Sequence, residues 1–161
     1  MNNRFEAKEK IKPNEWWRKL CQVNDRIHLC GDLPHPHYDS EDAIAVLSQW
    51  VKAGITHIVD VRDEASDAAW VAASEPQITY HHLGTHDNGG AQEFRWFDQG
   101  VQVILTALEE PDTQIVVHCH MGINRAPSMV FAALLELGYG IQPALNAIRS
   151  ARPISGIIYA E

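Results

Sequence analysis

Residues 114–130 read Gln-Ile-Val-Val-His-Cys-His-Met-Gly-Ile-Asn-Arg-Ala-Pro-Ser-Met-Val, and this stretch restricts the fold more than any other. Ile115, Val116 and Val117 form a short apolar, β-branched run of the kind that makes a buried strand. Beyond Arg125, the residues Val130, Ala133, Leu134 and Leu137 fall at i, i+3, i+4 and i+7, on one face of a helix. Pro127 suits the first turn of that helix, where a missing N–H leaves nothing unpaired. Strand, loop and helix therefore follow one another directly. Such a loop offers unpaired backbone N–H groups and the positive end of the helix dipole to whatever it encloses. Cys119 at its start gains thiolate character from those groups. Gly122 lets several amides turn inward, and the planar fork of Arg125 can hold two oxygens of one anion. A nucleophile, an anion cradle and a clamp on one loop point to chemistry on a phosphoryl group.

The pattern His118-Cys119-x5-Arg125, with Gly122 inside it and Pro127 after it, resembles the cysteine-dependent protein tyrosine phosphatase superfamily, and most of all its small, atypical dual-specificity phosphatases. The resemblance covers roughly residues 25–153. It implies that Cys119 attacks phosphorus, that His120, Met121, Gly122, Ile123 and Asn124 line the phosphate, and that His118 organises the loop from behind. One position departs from the pattern. The family usually has Ser or Thr directly after the arginine, where this chain has Ala126, and that hydroxyl helps expel the thiolate when phosphocysteine is hydrolysed. Ser128 lies two residues along the helix and faces elsewhere.

A chain of 161 residues with 45% hydrophobic content has the size of one domain with a proper core. No run approaches the length of a membrane span, and the first ten residues lack the apolar core of a secretory signal. Three cysteines, Cys21, Cys30 and Cys119, suit a reduced, cytoplasmic setting better than a disulfide framework. Thirteen basic against 21 acidic residues give a net charge of −8, which argues against broad nucleic-acid or anionic-membrane binding. Phosphate recognition is then local to the loop. Nothing in the spacing bears on the number of subunits.

In chain order, residues 1–13 read as a charged tail and 14–20, with Trp16 and Trp17, as a short helix, so that 1–20 precede a catalytic domain over 21–161. The adjacent tryptophans are expected to cover a core edge. Arg26–Gly31 alternates like a strand, with Cys30 an inert core thiol. A loop with Pro34, His35, Pro36 and His37 precedes a helix capped by Ser40, whose expected buried face is Ala43, Ile44, Leu47, Trp50 and Val51, and which Gly54 ends. Ile55–Val61 and Ile78–Leu83 read as strands, 67–73 as a weak helix. Phe94, Phe97, Val101, Ile104, Leu105 and Leu108 mark a long amphipathic helix. Ile141, Leu145 and Ile148 mark the last, and Arg152-Pro153 resembles the family's usual ending. The expectation is a single α/β domain of protein tyrosine phosphatase type, with a mixed, mainly parallel sheet flanked by helices.

Departure of an alkoxide or phenoxide needs a proton, which a carboxylic acid on a mobile loop can supply. Asp87 lies in the loop after a strand, where dual-specificity phosphatases carry that acid, beside Asn88, Gly89 and Gly90. Asp98 competes with it but sits within an amphipathic helix. Asp60 and Arg62 read as structural. The histidines, including the pair His35/His37 and the group His81, His82 and His86, have no metal-type spacing, so neither metal nor organic cofactor is expected. The expected activity is hydrolysis of phosphate monoesters on a phosphorylated protein. Two alternatives stand beside it: Asn124-Arg125 also resembles the RNA 5′-triphosphatase branch of the superfamily, and Ala126 allows a phosphate-recognising module with little turnover. Phosphoinositides are less favoured, because the loop lacks lysines.

Overall fold

A computed structural model describes residues 15–34 and 40–160. The expected tail over 1–13, the side chain of Ser40, and His35 and His37 lie outside the described residues. The chain forms one α/β domain around a five-stranded sheet of order β1-β2-β5-β3-β4. The strands are β1 (Cys21–Gln22), β2 (Ile27–Cys30), β3 (His57–Arg62), β4 (Thr79–Thr85) and β5 (Ile115–His118). β1 pairs antiparallel with β2 and every other pair is parallel, so the sheet is mixed and mainly parallel. The apolar run of residues 115–117 lies in the central strand, buried on both faces, as a run without alternation requires.

The period of two sends neighbouring residues of each strand into different layers. Ile115 and Val117, with Leu29, Val59 and Val61, pack under α3 (Phe94–Leu108), α4 (Arg125–Glu136) and α5 (Ile141–Ala151). Val116, with Cys30 and Ile58, faces the layer of α1 (Ser40–Lys52) and α2 (Ala68–Ser74), where Trp50 is fully buried. Among the described residues no helix is long and apolar enough to cross a membrane.

Three helices are rotated from their expected faces. In α1, Val46 is buried and Ile44 is 54% exposed, which leaves Ala43, Val46, Leu47 and Trp50 as an i, i+3, i+4, i+7 stripe. In α3, Phe94 is 84% exposed while Trp96 and Gly100 face inward. The cause is close contact with α4: a Cβ at Gly100 would lie 2.2 Å from Met129 Cε. In α5, Ile141 is exposed and Ala144 takes its place beside Ile148. Leu137, expected on the buried face of α4, lies just past its end and is exposed. Of the adjacent tryptophans, Trp16 is exposed and Trp17 half-buried in a single 3-10 turn. Cys30 is a core thiol as expected, and burial pushes it up to about 12.

Candidate active site

β5 delivers Cys119 to the carboxyl edge of the sheet, the edge where open α/β sheets place ligands. The loop that follows has its carbonyls engaged on the outside. Asp32 N–H donates to His120 O (2.9 Å) and Gly156 N–H to Ile123 O (2.7 Å). Arg152 donates from Nη2 to Met121 O (2.8 Å) and from Nε to Gly122 O (2.9 Å). In a trans peptide the N–H points opposite to the C=O. Holding the carbonyls of residues 120–123 outward therefore turns the N–H groups of residues 121–124 toward the space in front of Cys119. The N–H groups of Gly122 and Ala126 both favour the ionised form of the Cys119 sulfur. Gly122 has φ +66°, and a Cβ there would meet Cys30 O at 2.7 Å and Arg152 Nη2 at 2.8 Å, so the position admits glycine alone.

Arg125 opens α4, and its side chain is only 3% exposed. Nη1 donates to Glu64 Oε2 (2.7 Å) and Thr85 O (3.0 Å), and Nη2 donates to Glu64 Oε1 (2.8 Å). These bonds use three of the five guanidinium N–H groups. The remaining two, on Nε and Nη2, lie side by side along one edge of the plane. Nε is buried with no hydrogen-bond partner among the described residues. Glu64 and Thr85 thus fix the guanidinium from its end and leave its side edge as a bidentate donor for an oxyanion. Asp87 borders that edge, its Oδ2 lying 3.7 Å from Nε. Arg125 in turn holds the Glu64 carboxyl down to about 2.

Cys119 is 1% exposed, and burial pushes its thiol up. The Ala126 N–H, the Arg125 charge and the Gly122 N–H pull the other way, while the carboxylate of Asp87 adds to the upward push. Burial is the larger influence. The helix N-terminus alone suggested a depressed thiol, and the depth at which β5 sets the sulfur is what opposes it.

Behind the loop, His118 is fully buried beside Trp50 (ring centroids 5.4 Å), with Nδ1 3.4 Å from Cys119 O and Nε2 3.8 Å from Asp60 Oδ1. Burial lowers its pKa, so it is neutral at pH 7. The charge facing Asp60 is therefore that of Arg62, which donates to Asp60 Oδ2 (2.7 Å) and Asp67 Oδ2 (2.6 Å) and closes the network with Tyr80. Asp60, Asp67 and His118 also form a trio with cation-ligand spacing, but the Arg62 guanidinium bridges both carboxylates. Asp60 and Arg62 are structural, as expected.

His120 projects from the loop, mostly exposed, with Nδ1 2.8 Å from Asp32 Oδ2. Met121 and Ile123 are half-buried. The Asn124 carboxamide oxygen lies against Gly156, where a Cβ would come within 2.5 Å of it. Asp98 is exposed on α3, among the residues facing solvent. Glu64 and Arg152 were not singled out for the site from sequence. Arg62-Asp63-Glu64 at the end of β3 was the signal for Glu64; for Arg152 only the Arg-Pro ending stood out.

Residues 38–157 match the family described as "Dual specificity phosphatase, catalytic domain", and the chain belongs to that family. It is 28% identical to rat protein phosphatase Slingshot homolog 3 over 123 residues, which are 76% of this chain and 18% of that protein. It is 29% identical to human dual specificity protein phosphatase 26 over 111 residues, 66% of this chain and 50% of that one. Mouse protein tyrosine phosphatase type IVA 2 is 32% identical over 102 residues, 63% of this chain and 59% of that protein. The chain thus spans from about a fifth to somewhat over half of these relatives. Among solved structures, human DUSP28 superposes with a TM-score of 0.68 at 17% identity, covering 96% of this chain and 93% of that one. A human tyrosine phosphatase-like serine/threonine/tyrosine-interacting protein superposes with a TM-score of 0.66 at 20% identity, over 88% and 91%.

Proposed function

We propose that this chain hydrolyses phosphate monoesters on proteins, phosphotyrosine first and phosphoserine or phosphothreonine with it, through a phosphocysteine intermediate. The observation that supports this most is the unused Nε–Nη2 edge of Arg125, set beside a loop whose amides face Cys119 and next to the Asp87 carboxyl. The phosphoryl oxygens take that edge and the amides of residues 121–124, and the Cys119 thiolate, formed against burial with the help of the same donors, attacks phosphorus. As the P–O ester bond breaks, the Asp87 proton passes to the leaving oxygen. Asp87 then takes a proton from the water that attacks the S–P bond, releasing phosphate and the thiolate. His120, exposed beside the loop, meets the substrate at the mouth. The protein-phosphatase names of the relatives favour a phosphoprotein substrate. Three free thiols suit a cytoplasmic setting.

A second reading, a module that captures phosphate with little turnover, draws on one observation. The position after Arg125 is Ala126, with no hydroxyl, and the Ser128 oxygen two residues on is buried and held by Tyr159 N–H at 3.2 Å. The test of function is hydrolysis of a phosphotyrosine peptide, a phosphothreonine peptide, an inositol phosphate and a triphosphate-ended RNA by wild type and Cys119→Ser. The expected result is turnover of the peptides by wild type alone, with vanadate binding retained in Cys119→Ser. Equal hydrolysis by both proteins refutes the phosphocysteine route, and activity on the RNA alone reassigns the substrate.

A further inference from the structure

The two oxygens of Asp87 keep different company. Oδ2 lies 3.7 Å from Arg125 Nε. Oδ1 accepts the hydroxyl of Tyr159 at 2.6 Å. That same hydroxyl accepts the N–H of Gly89 at 3.0 Å. A phenol has one proton to give, so the proton goes to Asp87 while the lone pair holds the backbone two residues on. Tyr159 is itself well fixed: it is 7% exposed, its ring meets His86 edge-on at 6.5 Å, and its backbone N–H donates to Ser128 Oγ in the first turn of α4. Burial and the neighbouring carboxylate push the phenol up, which keeps it a donor. A continuous path therefore runs from the helix that begins at Arg125, through Tyr159, to the loop of Asp87. Asn88, Gly89 and Gly90 would otherwise leave that loop free to wander.

We propose that Tyr159 is the positioning residue of the general acid: by occupying Oδ1, it restricts the proton of the acid form to Oδ2, the oxygen turned toward Arg125 and the site of transfer. This rests on Asp87 being the acid. When the P–O bond breaks, the proton leaves Oδ2 for the departing oxygen, and the carboxylate that remains keeps its bond from Tyr159 on Oδ1. When water attacks phosphocysteine, Oδ2 takes up the proton again. The hydroxyl of Tyr159 is neither consumed nor titrated in the cycle. Its task is to prevent the acid from carrying its proton on the wrong oxygen and to hold the loop over the site.

The test compares kcat/KM for wild type, Tyr159→Phe, Asp87→Asn and the double variant across aryl phosphates of graded leaving-group acidity. Tyr159→Phe keeps the ring and removes only the hydroxyl. On the poorest leaving group it should lose about tenfold, and on the most activated less than about twofold, because an activated phenoxide barely needs a proton. Vanadate should bind Tyr159→Phe as it binds wild type. In the Asp87→Asn background, Tyr159→Phe should cause no further loss, since both changes act through one proton. A uniform loss across leaving groups, or an equal loss with and without Asp87, shows Tyr159 to be packing alone and overturns the proposal. Selective damage in Asp87→Asn beside a neutral Tyr159→Phe also overturns it while the acid assignment stands. A leaving-group-independent Asp87→Asn removes the acid assignment first, and the proposal with it.

Discussion

Replacing Arg152 by methionine separates the scaffold of the loop from its chemistry. Arg152 is 3% exposed and spends all five N–H groups within the domain. Besides Met121 O and Gly122 O, it donates to Lys19 O (3.1 Å), Trp17 O (2.8 Å) and Cys21 Sγ (3.4 Å). Trp17 O keeps a second donor, Gly31 N–H at 2.7 Å, and Lys19 O keeps the Cys21 thiol at 3.5 Å, so the substitution strips Met121 O and Gly122 O of the partner seen here. At roughly 1–2 kcal/mol for each acceptor left unpaired, the loss is about 2–4 kcal/mol. Removing a buried charge that carbonyl dipoles and one thiol compensate among the described residues offsets about 1 kcal/mol of it. The net destabilisation of about 1–3 kcal/mol leaves a domain of ordinary stability still folded. Urea unfolding should show a lower midpoint at unchanged slope. With Met121 O and Gly122 O released, the loop amides are no longer held inward, and vanadate affinity should fall about 10- to 100-fold. Arg152→Lys, with three donors in place of five, should fall between. An Arg152→Met protein that unfolds within about 0.5 kcal/mol of wild type and binds vanadate normally would refute the argument that outward carbonyls build the cradle.

Glu64→Gln removes the charge that fixes the end of the Arg125 fork; kcat/KM should fall about tenfold, and stability by less than about 1 kcal/mol because Glu64 is half-exposed to screening water. Its carboxyl is held down to about 2 from an ordinary 4.5, so the pair contributes fully above pH 4.5 and is lost as pH falls toward 2. Urea midpoints of wild type and Glu64→Gln should therefore converge only in strong acid. Gly122→Ala places a Cβ 2.7 Å from Cys30 O at positive φ; it should cost at least about 2–3 kcal/mol and abolish vanadate binding, as calorimetry can show.

The parts of this structure legible in the sequence are those whose cause is local. Residues 114–130 announce β5, the loop and α4 because an apolar run, a glycine and a helical period lie side by side. β2, β3 and β4 follow from short apolar runs between turn residues. β1 was missed because two residues, Cys21 and Gln22, carry no period at all. The rotated faces of α1 and α3 show a different limit. Ile44 and Phe94 are apolar and correctly spaced, yet which side of a helix turns inward is settled by its neighbour. For α3 that neighbour is Met129, against which Gly100 leaves no room for a side chain. In the site, Cys119, Arg125 and Asp87 were readable from spacing and resemblance, and the structure brings the three together. Glu64 and Arg152 were not, since each reaches its target across a long stretch of chain: Glu64 meets a guanidinium 61 residues on, and Arg152 a carbonyl 30 residues back. An arginine buried without a carboxylate partner among the described residues is explained by the carbonyls that the fold gathers around it.

Ala126 ties the sequence and the structure to one kinetic consequence. Its N–H favours the Cys119 thiolate, but its side chain is fully buried and has no hydroxyl to give. Ser128, the next hydroxyl on α4, lies two residues farther on and accepts Tyr159 N–H. Burial also makes the thiolate a poorer leaving group, because the charge returns to a site that penalises it. In the proposed cycle the missing hydroxyl acts on the second half alone, and burial opposes the thiolate there as it does in the first. Rapid quenching of the enzyme with an activated aryl phosphate should show a burst of phenol near one equivalent, then a slower steady state limited by phosphocysteine hydrolysis. Ala126→Ser should raise the steady-state rate about tenfold and shrink the trapped intermediate, leaving the burst rate unchanged, since one hydrogen bond to a charged sulfur is worth about 1.5 kcal/mol. Fast turnover without a burst, unaltered in Ala126→Ser, would mean that the amides of Gly122 and Ala126 and the charge of Arg125 suffice to expel the thiolate. A burst with almost no turnover on any substrate would instead make the chain a phosphate trap.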